Sequence, residues 1–169
     1  SHYIGDLEDL SVFDSFTESI KDYLKFYNHK PAYVVCDLHP DYYSIRWAKE
    51  KFKGKCIEVQ HHHAHMASCM GENNLKEDVL GIIFDGTGMG TNGTLWGSEF
   101  LVGNYEKVER LGHFNYLSIY GGDSGVRNIY KNVLLFLEEN KITLPSDHIL
   151  IKQLKHQFKD FEKIRKLQL

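Results

Sequence analysis

The sequence lacks the features that mark membrane-spanning, secreted and nucleic-acid-binding proteins. Its longest apolar run is about six residues, VLGIIF at 79–84, whereas a helix that crosses a bilayer needs about 20. The first residues do not show the charged and then apolar pattern of a signal peptide. Acidic residues outnumber basic ones, 23 to 20, so no excess of positive charge is present to bind a nucleic-acid backbone.

Cysteine is also scarce, and its spacing excludes a disulfide scaffold. The three cysteines, Cys36, Cys56 and Cys69, form no CxxC pair. This pattern predicts reduced thiols with a structural role in a cytoplasmic protein. A chain of 169 residues with 42% hydrophobic content is long enough for one globular domain with a substantial core. We therefore expect a single domain over 1–169.

The hydrophobic pattern alternates between strand-like and helix-like segments. Apolar residues recur at helical spacing over 11–27, with Ser11 and Asp14 as candidate caps, and Asp41 is a candidate cap for a second helix through Phe52. The expected strands lie at 32–36, 56–59, 79–84, 95–102 and 108–115, a short helix is expected at 65–70, and further helical patterns cover 129–137 and 149–167. This order predicts an α/β domain with a partly parallel sheet at 1–125 and a helical part at 126–169.

Histidine is abundant and concentrated in one short segment. Four of the ten histidines fall within residues 61–65. His61 and His65 are four apart, so on a helix both imidazoles leave the same face and can bind one divalent metal ion. His62 and His63 would point elsewhere. A cluster of surface histidines has the same spacing, so a metal site needs a third ligand.

Asp85 is the candidate third ligand. It follows VLGIIF, the strongest strand pattern, which we expect to be a buried strand of a parallel sheet. Its carboxylate would then lie at the carboxyl edge of the sheet, where open α/β sheets bind ligands. An aspartate at this position can also simply cap the turn that follows.

The turn after Asp85 is rich in glycine and threonine. Its sequence, DGTGMGTNGT at 85–94, lets backbone N–H groups and hydroxyls approach an anion closely. Within it, Asn92-Gly93 predicts a hairpin between two strands, and the two properties are compatible. The candidate phosphate-binding residues are Gly86, Thr87, Gly88, Gly90 and Thr91.

Two other loops are weaker candidates. Gly121, Gly122 and Asp123 precede a predicted helix, whose N-terminus can bind an anion while the aspartate binds a ribose hydroxyl. His39, in the loop DLHPDY at 37–42, can carry a proton or contact an anion. For each segment taken alone, an ordinary capping loop is the commoner explanation.

Five segments carry a resemblance to a known family. They are IGDLED (4–9), VVCDLHPDYYS (34–44), VQHHHAHMAS (59–68), FDGTGMGTNGTLWGSEF (84–100) and GGDSGVR (121–127). In this order the chain resembles the HypF family of hydrogenase-maturation carbamoyltransferases over roughly residues 1–137. The resemblance implies an actin-like (ASKHA, ribonuclease H-like) fold, a mixed sheet flanked by helices, of which this chain would be the N-terminal part.

The resemblance also implies a reaction and roles for the candidate residues. The family forms carbamoyl-adenylate from carbamoyl phosphate and ATP and transfers the carbamoyl group to the C-terminal cysteine of HypE during NiFe hydrogenase maturation. His61, His65 and Asp85 would bind a divalent metal, with Asp85 and His39 catalytic. The residues of the DGTG turn would contact the phosphates, and those of the GGD turn the ribose. The metal stays open between Zn, Fe and Mn.

The chain departs from the family pattern in ways that leave alternatives open. The family usually has Arg-Glu-Pro-Trp-Arg after GGD, where this sequence has Arg127 to Lys131. A phosphate-binding hairpin expected before Ser1 and the second half of the domain are missing, so we expect the chain alone to be inactive. The alternatives are an O-carbamoyl or threonylcarbamoyl transferase, or a non-catalytic metal- or nucleotide-binding module that works through a partner.

Overall fold

The computed structural model of the chain describes residues 4–117 and 129–157. The chain divides into two compact units, residues 1–114 and 115–169. The boundary predicted at residue 125 falls outside the described residues and stays a prediction. Within the described ranges, none of the helices is long and apolar enough to cross a membrane.

Helices and strands alternate up to the strand Val79–Met89, and the chain contains both, which confirms the predicted α/β class. In chain order the first unit contains α1 (Leu10–Phe26), β1 (Val34–Asp37), α2 (Tyr43–Lys51), β2 (Cys56–Val59), α3 (His61–Glu72), β3 (Val79–Met89), β4 (Leu95–Gly103) and β5 (Val108–His113). The second unit contains α4 (Ile129–Glu139) and α5 (Ile149–Gln157). The part of the last predicted helix beyond Gln157 lies outside the described residues.

The caps predicted for the first two helices are not found at their N-termini. Asp9 caps α1, since its Oδ1 accepts from the backbone N–H groups of Ser11 and Val12 at 2.8 and 3.3 Å. Helix α2 begins after Tyr42 without a side-chain cap. Asp41 instead pairs with Arg46 at 2.6 Å. An aspartate can cap only when its side chain reaches the free N–H groups, and the candidate at Asp41 lies one residue too early.

The strands form a parallel pair and an antiparallel meander. Strands β1 and β2 pair in parallel, with Val34 opposite Cys56, while β3, β4 and β5 form an antiparallel sheet in that order. The expected single mixed sheet is therefore not found among the described residues. The prediction that β3 is parallel was wrong, because the tight hairpin after it can join only antiparallel neighbours.

Strand β3 is buried on one face rather than on both. Leu80, Ile82 and Phe84 are exposed, while Gly81 and Ile83 face α3: a Cβ at Gly81 would lie 2.8 Å from the sulfur of Met66. The expectation of a fully buried strand was wrong, because α3 covers only one face of the sheet. A one-sided antiparallel sheet then places alternate residues of VLGIIF in contact with solvent.

The core of the first unit joins α3 to the meander. Met66 and Met70 of α3 pack with Trp96 and Leu101 of β4, and all four are buried. In the second unit Leu134 and Leu154 form a separate buried cluster. The contact between α3 and the meander fixes the histidine-rich helix against the strands that carry the glycine-rich turn.

Candidate metal centre

Helix α3 begins with the histidine cluster itself. Gln60 is its N-cap, with its Oε1 accepting from the backbone N–H of His63 at 2.8 Å. The helix was expected to start at His65, and it starts four residues earlier, because the glutamine side chain supplies the capping acceptor. His61 and His65 therefore lie one turn apart on one face.

Asp85 lies at an irregularity in β3. The pairing register with β4 shifts between Phe84 and Gly88, so the residues between them leave the regular ladder. Asp85 was expected at the carboxyl end of a parallel strand, and the structure places it inside an antiparallel one. Its Oδ1 accepts from the N–H of Gly86, the next residue, at 2.7 Å, whereas the turn cap that the sequence allowed would bond to the backbone two residues on. The other oxygen, Oδ2, points to the histidines.

The structure brings His61, His65 and Asp85 together. The Oδ2 atom of Asp85 lies 2.8 Å from Nε2 of His61 and 3.7 Å from Nε2 of His65. The two Nε2 atoms are 3.3 Å apart, and the three ligand atoms all lie within 4.8 Å of one another. Two imidazoles and one carboxylate are a common donor set for Zn, Fe and Mn.

One atom of this group shows that the residues fit a cation. Asp85 Oδ2 is buried, and its neighbour is Nε2 of His61 at 2.8 Å, so with the His61 proton on Nδ1 no donor among the described residues reaches it. A buried carboxylate oxygen is costly unless a positive charge or a donor compensates it. The lone pairs of the two Nε2 atoms can face the same point, so a divalent ion bound there would satisfy all three atoms.

Sequence reasoning missed Asp37, the last residue of β1. Its Oδ2 lies 2.5 Å from Nδ1 of His61, and its Oδ1 accepts from the backbone N–H of His39 at 2.9 Å. Asp37 was considered only as the start of a loop. The signal that could have found it is its position, because β1 and β2 are parallel and α3 begins directly after β2. The carboxyl end of β1 therefore lies beside the start of α3.

His39, the other candidate catalytic residue, is not one of the three clustered ligands. Its ring stacks on Tyr42 with 4.2 Å between centroids, and its Nδ1 accepts from the backbone N–H of Asp41 at 3.2 Å. Burial raises the pKa of the Tyr42 phenol, and the charges of Asp37 and Asp85 raise it further. The loop that holds His39 and Tyr42 thus lies near the two carboxylates.

His62 and His63 point away from the three ligands, as the helical register predicts. His62 is fully buried and its Nδ1 lies 3.0 Å from Nε2 of Gln60. Burial lowers the pKa of His62, which favours the neutral imidazole. His63 bonds through Nε2 to the carbonyl of Asn104 at 2.7 Å. Both side chains hold α3 in place.

The glycine-rich turn forms the predicted hairpin, closed at Gly93, whose φ is +77°. Gly88 and Gly90 are required by packing, because added Cβ atoms would lie 2.8 Å from His61 and 2.0 Å from Trp96. Gly86 and Thr91 are exposed and Thr87 is half-buried, so the backbone N–H and hydroxyl groups of these three residues lie near the surface. The candidates Gly121, Gly122 and Asp123 lie outside the described residues.

A groove of about 400 Å³ opens between α3 and β3. His65, Cys69 and Asp85 line it together with apolar residues of both elements. Two of the three clustered ligands therefore face a space large enough for a small molecule or an extended peptide segment.

Comparison with protein-family models identifies the class of domain to which the chain belongs. The family model described as the HypF Kae1-like domain matches residues 1–72, and the model of the second subdomain of the carbamoyltransferase Kae1-like domain matches residues 81–168. The fold is thus that of a Kae1-like domain. The chain belongs to the HypF carbamoyltransferase family.

Relatives and solved structures agree with this assignment. The chain is 36% identical over 144 residues to carbamoyltransferase HypF of Rhodobacter capsulatus, covering 81% of this chain and 19% of that protein. It is 39% identical over 130 residues to a HypF homolog of Cupriavidus necator, covering 75% of this chain and 33% of that protein.

Two crystal structures of HypF resemble the chain closely. Full-length HypF in the phosphate- and nucleotide-bound form gives a TM-score of 0.75 at 38% identity, over 94% of this chain and 22% of that one. HypF of T. kodakarensis gives 0.72 at 35% identity, over 85% and 19%. The chain spans about a fifth to a third of the length of these relatives and structures.

Proposed function

We propose that the chain is the metal- and phosphate-binding part of a HypF-type carbamoyltransferase. The enzyme would form carbamoyl-adenylate from carbamoyl phosphate and ATP and transfer the carbamoyl group to the C-terminal cysteine of a HypE-like acceptor in NiFe hydrogenase maturation. One observation carries the proposal: in a member of this family, the ligand atoms of His61, His65 and Asp85 lie within 4.8 Å of one another at the start of the glycine-rich hairpin.

The proposed reaction balances without a nucleophile from this chain. Hydrolysis of carbamoyl phosphate gives carbamate and phosphate, and a carbamate oxygen then attacks the α-phosphorus of ATP, so that pyrophosphate leaves. The acceptor thiolate attacks the carbamoyl carbon, and AMP leaves. Burial raises the pKa of the Cys36 thiol, so this cysteine is poorly suited to be a thiolate nucleophile at neutral pH. We assign it a structural role.

His61, His65 and Asp85 would hold the metal. When bound, a divalent ion would neutralise phosphate charge and polarise the carbamoyl carbonyl as a Lewis acid. Asp85 belongs to both parts of the site, since one oxygen faces the histidines and the other accepts from the N–H of Gly86. This shared carboxylate would keep the hairpin, and any phosphate bound to it, beside the metal.

The nucleotide would contact the exposed part of the hairpin. Gly86 and Thr91 are exposed, and with Thr87 they offer backbone N–H and hydroxyl donors to phosphate oxygens. Gly121, Gly122 and Asp123 would contact the ribose, and His39 would carry a proton. Binding of phosphate and nucleotide by a solved HypF supports this assignment. An actin-like fold for the complete domain and a cytoplasmic location are parts of the same proposal.

The proposal is tested at two levels. On this chain, metal analysis and equilibrium dialysis with ATP measure binding. Activity is measured as carbamoyl-phosphate-dependent exchange of pyrophosphate into ATP, in a chimera in which this chain replaces the matching segment of Rhodobacter capsulatus HypF. We expect metal binding and weak ATP binding by the chain, and no exchange, because a partial cleft neither positions the reactants nor excludes water. The chimera should exchange.

The controls separate the possible outcomes. Unaltered Rhodobacter capsulatus HypF gives the reference rate, and the chimera with His61→Ala should lose exchange. A folded, metal-loaded chimera that binds ATP without exchange would contradict the enzyme and favour the non-catalytic module. Robust exchange by the 169-residue chain itself would overturn the proposal that it is only part of the site.

A further inference from the structure

The carboxylate of Asp37 contacts the ring of His61 in α3 and the backbone of His39 in the loop after β1. Its Oδ2 lies 2.5 Å from Nδ1 of His61, and its Oδ1 accepts from the backbone N–H of His39 at 2.9 Å. The side chains of Asp37 and His61 are only 17% and 26% exposed, so water competes weakly for their contact. The two residues are 24 positions apart, and the contact joins the end of β1 to the start of α3.

This contact determines which nitrogen of His61 can bind a metal. A neutral imidazole carries one proton, on either Nδ1 or Nε2. A carboxylate oxygen lies beside each ring nitrogen, and Asp37 Oδ2 at 2.5 Å from Nδ1 is closer than Asp85 Oδ2 at 2.8 Å from Nε2. The closer contact holds the single proton on Nδ1, which leaves the Nε2 lone pair free for a cation. That lone pair faces Asp85 Oδ2 and His65 Nε2. In the opposite tautomer, the Nε2 proton would donate to Asp85 and block the ligand position.

We propose that Asp37 is a positioning residue of the metal site, which holds His61 in the Nδ1–H tautomer so that its Nε2 can ligate. The proposal rests on the proposed metal site for its consequence, but the tautomer can be observed without metal. Asp37 binds no metal itself, because its Oδ2 lies on the far nitrogen of the imidazole.

Asp37→Asn separates this role from a purely structural one. The variant keeps the side-chain oxygen that accepts from the His39 backbone, so the loop retains its bond. The new amide presents an N–H group to Nδ1 of His61, which must then accept, and the ring proton moves to Nε2. The matched control is Asp41→Asn in the same loop, since Asp41 is exposed and pairs with Arg46.

The experiment uses the metal-free chain at a pH near 8, where ordinary imidazoles are neutral. Nitrogen-15 NMR identifies the tautomer of His61, assigned by the signal lost in His61→Gln. We expect the Nδ1–H form in the wild type and in Asp41→Asn, and the Nε2–H form in Asp37→Asn. Zinc affinity, measured by competition with a chelating dye, should fall about 10–100-fold in Asp37→Asn only, the usual cost of losing a ligand's outer hydrogen-bond partner.

Three results would overturn the proposal. The first is a predominant Nε2–H tautomer in the wild type, which needs no variant to fold. The second is an unchanged tautomer in Asp37→Asn, and the third is the same zinc affinity in both aspartate variants. Failure of the proposed metal site looks different: the wild type would bind no zinc while the tautomer of His61 still changed in Asp37→Asn.

Discussion

The side-chain amide of Gln60 donates from Nε2 to the backbone carbonyl of Met89 at 3.1 Å. The same Nε2 lies 3.0 Å from Nδ1 of His62, and Oε1 accepts from the N–H of His63 at 2.8 Å. One buried carboxamide therefore joins the first turn of the histidine helix α3 to the end of β3, where the glycine-rich hairpin turns. Its hydrogen-bonding groups set the spacing between the two halves of the candidate site.

Gln60→Glu should weaken the connection between α3 and β3 and keep the N-cap of α3. One oxygen can still accept from His63, but the other faces the Met89 carbonyl as a second acceptor. We expect the free energy of unfolding to fall by about 1–3 kcal/mol, the cost of unsatisfied buried polar groups, as measured by urea denaturation. Asn73→Asp, at the exposed C-terminal end of α3, is the matched control and should cost less than about 1 kcal/mol. Equal losses in both variants would contradict the prediction.

Removing a ligand should remove the metal. Since losing an outer hydrogen-bond partner alone costs about 10–100-fold in affinity, we expect His61→Ala and Asp85→Ala each to weaken zinc binding by more than about 100-fold. The measurement is metal content after dialysis, together with competition against a chelating dye. If metal content is unchanged in both variants, these residues are not the ligands.

His62 and His63 should differ in stability and not in metal binding. His62 is fully buried, so His62→Ala should cost about 2–4 kcal/mol through a cavity and lost polar contacts. His63 is half-buried, and His63→Ala should cost about 1 kcal/mol. Both variants, compared per mole of folded protein, should keep zinc affinity within a few-fold of the wild type. A loss as large as that of His61→Ala would mean that the helical register assigned to the site is wrong.

Gly88→Ala should disturb the site without removing any ligand. The new Cβ would lie 2.8 Å from Cβ, Cγ and Cδ2 of His61, so the imidazole must move. We expect zinc affinity to fall at least about 10-fold and stability by about 1–3 kcal/mol. Gly86→Ala, where an added Cβ meets nothing within 4 Å, is the control and should leave zinc affinity unchanged. Gly86→Ala is a closely matched control for Gly88→Ala, because the two positions lie two residues apart in one strand.

The phenol of Tyr42 should report the charges of the site. Burial and the carboxylates of Asp37 and Asp85 raise its pKa. The folded state therefore keeps the phenol proton more firmly, and this contribution to stability is present below pH 10 and lost as the pH rises through the folded pKa. Carbon-13 NMR of the tyrosine rings, assigned with Tyr42→Phe, should show a lower Tyr42 pKa in Asp37→Asn and no change in Asp41→Asn. A pKa that is the same in all three proteins would place Tyr42 away from the site.

Local sequence patterns were sufficient to predict most of the secondary structure. Apolar spacing predicted α1, and the apolar run before Asp37 predicted β1 as a buried parallel strand. Its pairing with β2 confirms that it is parallel, but Val35 is exposed, so the predicted burial was wrong. Asn92-Gly93 predicted the hairpin, which the pairing of β3 with β4 confirms. The environment predicted for β3 was wrong, because an apolar run alone does not show whether one face of a strand or both faces are covered. Leu80 and Ile82 are exposed although they read as core residues.

The site was only partly accessible from the sequence. The i, i+4 spacing predicted that His61 and His65 share a face, and the acid at the end of the apolar run suggested Asp85. The contact of Asp37 with His61 could not be read from any local pattern, because it joins residues 24 positions apart. The packing role of Gly88 was also hidden, since it depends on how closely α3 approaches β3.

The shift of register between Phe84 and Gly88 makes the site sensitive to the number of residues in this stretch as well as to Asp85 and Gly88 themselves. Successive side chains of a strand point to opposite faces, so a one-residue insertion or deletion inverts every side chain beyond it. A deletion in this stretch would turn Asp85 away from His61, or turn Gly88 out from beneath its ring. A Cβ added at Gly86 would meet nothing within 4 Å. Over evolutionary time, this segment should therefore keep its length together with Asp85 and Gly88, while Gly86 accepts other residues.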